Sequence, residues 1–156
     1  MLFNGSELVA ADVMTRDVAT VRPDTTLRKV ARVLASHRIS GVPVVDAAGS
    51  LVGMVTEADL LRTDATRDER HNEWLRKLAD GYDLAPEFVA AMQETNRPAS
   101  AVMHHNVVSV SETTPLQEIA DLMAKNAIKR VPVLRDGKVV GVVSRFDLVL
   151  AIARAG

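Results

Sequence analysis

Apolar residues recur along this chain in two rhythms, and each rhythm occurs twice. Leu27, Val30, Ala31 and Leu34 fall at i, i+3, i+4 and i+7, the spacing of one buried helical face. Leu116, Ile119, Ala120 and Met123 repeat that spacing. After each stripe comes a nearly all-apolar run, Gly41 to Val45 and Val131 to Leu134, then a turn and a second apolar run, Leu51 to Val55 and Val139 to Val143. Paired runs of this length predict hairpin strands. The first turn is Asp46-Ala47-Ala48-Gly49-Ser50, and the second is the tighter Arg135-Asp136-Gly137-Lys138 with Asp-Gly at its centre. A β-branched stretch from Val18 to Val21 predicts an opening strand, ended by Arg22-Pro23-Asp24. Asp24 or Thr25 is placed to cap the helix that follows, and Pro115 suits the first turn of its counterpart. Further helices are expected from about Glu57 and over Arg145 to Ala153. Each copy reads β-α-β-β-α.

The copies stay in register. Met14 and Met103 are 89 positions apart and Asp59 and Asp147 are 88 apart, so one deletion in a hairpin turn accounts for the slippage. Such a duplication implies two copies of one supersecondary unit about a pseudo-twofold axis, with two related clefts. Strands this apolar call for cover on both faces. Between the copies, Arg62 to Ala99 lies outside the repeat, with helices expected over 68–79 and 86–96. Six basic residues oppose eight acidic ones between Arg62 and Arg97. A net acidic pair of helices is a poor phosphate binder, which argues against a DNA-reading helix-turn-helix.

Composition narrows the classes. Hydrophobic residues make up 47% of the 156 and aromatic ones only 3%, so the core is aliphatic and no aromatic platform is offered to single-stranded nucleic acid. Lys and Arg total 19 against 20 Asp and Glu, leaving no global attraction to polyanions. Cysteine is absent, in keeping with a reducing compartment. No apolar run approaches the roughly 20 residues of a membrane span, and the first residues lack a signal-peptide layout. A soluble, cytoplasmic protein is expected.

Candidate chemistry sits where an apolar strand runs into a helix. Thr56 and Ser144 close their strands, and Asp59 and Asp147 follow three residues later. A hydroxyl beside a helix start can meet a phosphate or ribose oxygen, and a carboxylate offers two acceptor oxygens to a vicinal diol. The competing reading is a plain cap with a first-turn acid. His104-His105 is adjacent, lacks the i, i+4 spacing of a helical metal pair and has no cysteine beside it, so surface histidines are expected. No Gly-x-Gly-x-x-Gly follows a strand, and nothing places a nucleophile beside a base. An enzyme is not indicated.

With these features in order twice, the chain resembles a tandem pair of CBS domains, a Bateman module of the stand-alone bacterial type. Both copies carry the Thr/Ser-Val opening strand, the Gly/Arg-Val-Pro-Val second strand and the Gly-x-Val-Thr/Ser-x-x-Asp finish. The resemblance spans roughly 12–62 and 100–154. It implies an α+β fold, with repeats at 7–62 and 100–156 and a helical insertion at 63–99.

By the same resemblance the chain is a regulatory sensor rather than a catalyst. It would bind adenosyl ligands in clefts between the repeats and signal to a partner protein. AMP, ADP or ATP, with or without Mg, would be a regulatory ligand and not a catalytic cofactor. A homodimer paired through helices is implied. The alternative is a structural or protein-interaction module whose clefts are empty or vestigial.

Carried over by position, Asp59 and Asp147 would hold ribose, with Thr56 and Ser144 as nearby hydroxyls. Met54 and Val142 would wall the clefts, Ala19 and Val108 would approach adenine, and Val42 and Val131 lie on the second strands. The copies differ in charge: Ser40-Gly41 corresponds to Lys129-Arg130, and Glu57 to Arg145. Family precedent would send Lys129 and Arg130 to the ligand on Asp59, making that cleft the better one for phosphorylated adenosines.

Overall fold

The computed structural model describes residues 8–61 and 96–154. The helices expected over 68–79 and 86–96 lie outside these residues, apart from Asn96, which is not helical. In chain order the elements are α1 (Ala10–Val13), α2 (Leu27–His37), β1 (Gly41–Val45), β2 (Leu51–Thr56), α3 (Glu57–Leu61), a 3-10 turn (Ala99–Ala101), β3 (Val110–Ser111), α4 (Leu116–Asn126), β4 (Arg130–Arg135), β5 (Lys138–Ser144) and α5 (Arg145–Arg154). Among the described residues no helix is long and apolar enough to cross a membrane.

Two compact units result, and neither is contiguous in sequence. The repeat-1 unit gathers the described residues of Ala19–Val44 and Val52–His105; the repeat-2 unit gathers those of Met1–Val18, Val45–Leu51 and Asn106–Gly156. The segment leading into each copy is therefore folded into the other copy's unit. Ala10 N–H donates to the Thr114 carbonyl at 2.9 Å, and its counterpart Ala99 N–H donates to the Thr25 carbonyl at 2.7 Å. Thr15 bridges Val142 antiparallel, just as His104 bridges Met54.

In the repeat-2 unit, β3 runs parallel to β4 and β4 antiparallel to β5. In the repeat-1 unit, β1 pairs with β2, but the opening strand expected over Val18 to Val21 is reduced to one parallel bridge, Val21 to Val44. The next rung would need an N–H from residue 23, and Pro23 has none; its counterpart is Glu112. The helix cap also differs from expectation. Thr26 Oγ accepts the Lys29 N–H at 3.3 Å, while Thr25 Oγ instead accepts the Arg22 N–H at 2.9 Å. Pro115 stands one residue ahead of α4, in the cap position. The Asp-Gly turn is as expected: Asp136 and Gly137 both take positive φ, 53° and 80°, as a two-residue hairpin requires.

The stripes go where their periodicity sends them. Leu27, Val30 and Leu34 meet Val42, Val44 and Val55 in one core, and Leu116, Ile119 and Met123 meet Val131, Val133 and Val143 in the other. Burial of these aliphatic faces is the main favourable term, about 25 cal/mol per Å² removed from water. Two glycines set how closely the leading segments dock. A Cβ on Gly53 would lie 2.7 Å from Met103 Sδ and 2.9 Å from the His104 carbonyl oxygen, and one on Gly141 would lie 2.5 Å from Met14 Sδ. Glycine here gives close backbone approach within a strand.

Candidate functional site

Each hairpin delivers its last strand residue to the start of a helix. In the repeat-1 unit, Asp59 Oδ2 accepts the Thr56 N–H at 2.8 Å and the Thr56 hydroxyl at 3.0 Å, and the Asp59 N–H faces Thr56 Oγ at 3.4 Å. In the repeat-2 unit, Asp147 Oδ2 accepts the Ser144 N–H at 2.8 Å, and the Asp147 N–H donates to Ser144 Oγ at 3.2 Å. Both are reciprocal capping arrangements, with hydroxyl and carboxylate satisfying each other's backbone donors. The cap reading is thus realised in both copies. It leaves Oδ1 of each aspartate as the oxygen directed away from the cap.

The two Oδ1 atoms have different surroundings. Asp59 Oδ1 lies 2.6 Å from His104 Nε2, and the aspartate is only 5% exposed while the histidine side chain is 59% exposed. An ionised carboxylate only accepts, so Nε2 is the donor, and such charge-assisted bonds are short and strong. The position matching His104 is Thr15, which makes no hydrogen bond to Asp147 among the described residues. Asp147 is half-buried.

Sequence reasoning placed His104 among surface histidines, and its exposure agrees. Its engagement with Asp59 was missed, because the two are 45 residues apart and are joined by the docking of the leading segment. The available signal was the repeat offset, which sets His104 opposite Met54 just as it sets Thr15 opposite Val142.

The remaining candidates sort by unit. Ser40 carbonyl accepts the Glu57 N–H at 2.8 Å, and Lys129 carbonyl accepts the Arg145 N–H at 2.9 Å. Each bond ties the residues just before or at the start of one strand to the following helix. Arg130 stands opposite Ser144 in the β4–β5 register. Lys129, Arg130, Ser144, Arg145 and Asp147 therefore share one end of the repeat-2 unit. Ser40, Gly41, Thr56, Glu57, Asp59 and His104 gather in the repeat-1 unit. Lys129 and Arg130 thus belong to the unit of Asp147, not that of Asp59. Val42 and Val131 are fully buried core residues, so only their backbone could face a ligand. Met54 is 8% exposed and Val142 half-buried, each on the strand that leads to its aspartate. Ala19 and Val108 are half-buried against their own units' cores. Among the described residues no cluster of three or more His, Asp or Glu suited to a metal is present.

Two units built on the same helix–hairpin–helix order, each hairpin finished by a hydroxyl–carboxylate turn, define a paired-repeat module. The CBS domain family matches residues 9–65 and 99–154, and the chain belongs to that family. It is 31% identical over 158 residues to an uncharacterized protein of Methanocaldococcus jannaschii, MJ1426, covering 96% of this chain and 94% of that one. The solved CBS domain of a CBS domain containing membrane protein from Sphaerobacter thermophilus is 38% identical, with a TM-score of 0.70 over 93% of this chain and 88% of that chain. The structure of CBSX2 of Arabidopsis thaliana in complex with AMP is 26% identical, with a TM-score of 0.71 over 94% of this chain and 96% of that chain.

Proposed function

We propose that this chain is a regulatory module that binds an adenosyl nucleotide at the hydroxyl–carboxylate turns of its repeats and signals the occupancy to a partner protein. The observation that carries this is the repeat-2 end. There Asp147 keeps Oδ1 directed away from its cap for a ribose hydroxyl, and Arg145 opens the same helix with a positive charge. AMP bound to CBSX2 supports the ligand class. The apolar strands suit an adenine face, and the backbone suits its polar edge. AMP, ADP and ATP are the candidate ligands, the larger two with Mg on their phosphates. The module binds rather than catalyses, and a cytoplasmic setting belongs to the same proposal.

Thermal melting tests it. AMP at 100 times its dissociation constant should stabilise the protein by about 2.7 kcal/mol, and Asp147→Ala should remove most of that shift. No shift with AMP, ADP, ATP or S-adenosylmethionine would favour a protein-interaction module without a nucleotide role.

A homodimer is the second element of the proposal. Phe146, Val149 and Ile152 are 65%, 55% and 38% exposed and recur every three residues on α5, a stripe that calls for a partner. Phe146→Glu should shift sedimentation toward the monomer; an unchanged profile would remove α5 from the interface.

A further inference from the structure

We infer that His104 closes the repeat-1 nucleotide site, so that the Asp147 site is the one open to ligand and the Asp59 site fills only when the imidazole is displaced. This rests on the adenosyl proposal above and assigns the two sites different roles. Three observations carry it. Asp59 Oδ2 is committed to the Thr56 cap, so Oδ1 is the oxygen a ribose hydroxyl would need. His104 Nε2 already donates to that oxygen at 2.6 Å, and the carboxylate is almost fully buried. The matched pair in the other unit, Thr15 and Asp147, forms no such bond.

A hydroxyl arriving at Asp59 must therefore replace a charge-assisted donor that is held in place by its own backbone. Met54 N–H donates to the His104 carbonyl at 3.0 Å, and His104 N–H donates to the Met54 carbonyl at 2.9 Å. The exposed imidazole can rotate off without breaking that backbone pairing, which makes the closure reversible. Charge distribution acts in the same direction. Arg145 stands two residues before Asp147, whereas Glu57 holds the matching place before Asp59. The asymmetry expected from family precedent, with Asp59 the better phosphate site, is reversed on this reading.

Calorimetric titration with AMP decides it, using the full chain. Wild type should show one tight class, abolished by Asp147→Ala. In the Asp147→Ala background, His104→Thr copies the residue that the other unit carries and should tighten AMP binding roughly ten- to a hundredfold, the worth of one hydrogen bond to a charged group. His104→Ala provides a second route to the same opening. In the reverse exchange, Thr15→His should weaken the tight class. If Asp147→Ala abolishes binding and neither His104 variant restores it, the gate is wrong and the adenosyl proposal stands. If Asp59→Ala removes the tight class, the gate is again wrong. If no variant, wild type included, takes up AMP, both fall.

Discussion

Asp59 and Asp147 begin from the same local chemistry and end in different surroundings. Each caps the helix that follows a valine-rich strand, through a bond of 2.8 Å from the backbone N–H of the hydroxyl residue three positions earlier. That much follows from four consecutive residues and is the same in both copies. The difference comes from a segment far away in sequence. Docking of residues 99–104 brings an imidazole donor to Asp59, whereas docking of residues 10–15 brings Thr15 to the equivalent place beside Val142. A duplicated motif thus fixes the geometry of the carboxylate, and the exchanged leading segment decides what that carboxylate is free to do.

The docking of those segments is the part of the comparison most sensitive to substitution. Gly53→Ala should destabilise the protein by about 1–3 kcal/mol, the usual range for overpacking. The added methyl meets the His104 carbonyl oxygen, a backbone atom in a paired bridge, as well as Met103 Sδ. For Gly141→Ala the three nearest atoms all belong to the Met14 side chain, from Sδ at 2.5 Å to Cβ at 3.1 Å. A flexible thioether can move aside, so the loss there should be smaller. Urea denaturation of the two variants reads the ranking. Equal losses, or a larger loss at Gly141, would show that the leading segments are not held by the backbone contact described for His104.

What the sequence made legible follows from the range of the forces involved. Helix faces, hairpin strands and the Asp-Gly turn depend on neighbours within a few residues. Leu27 to Leu34, Gly41 to Val45 and Asp136-Gly137 accordingly lie where their spacing puts them. The hydroxyl–carboxylate turn was legible for the same reason, and so was its competing role as a cap. Three features were not. The opening strand of the first copy shrinks to one bridge because Pro23 lacks the donor its counterpart Glu112 has. The cap moves to Thr26 because Thr25 turns its hydroxyl to Arg22. His104 reaches Asp59 only through a tertiary exchange of segments, which periodicity does not encode. Position 104 was visible as the one place where the aligned copies set a histidine against a threonine, but the alignment carried no information on what lay opposite.

Pro23 and Glu112 also mark the smallest difference between the units. Glu112 and Arg135 form a two-point ion pair, Nε to Oε1 at 2.6 Å and Nη2 to Oε2 at 2.7 Å. The counterpart positions hold Pro23 and Asp46, and Asp46 is occupied instead with its own turn, accepting the N–H groups of Ala48 and Ser50 at 2.9 Å. The hydrogen bond from Arg135 holds the Glu112 carboxyl below its ordinary value of 4.5, with the guanidinium charge acting in the same direction. A carboxyl depressed on folding contributes stability above its unfolded pKa and loses it as pH falls through the folded value. Glu112→Gln should therefore lower the melting temperature slightly near neutral pH and make no difference well below pH 4.5. Screening keeps the neutral-pH effect small, since surface pairs of this kind contribute little, and added salt should reduce it further. A loss that instead persisted unchanged into acid would show that Glu112 acts through packing, and the ion pair would then no longer distinguish the second unit from the first.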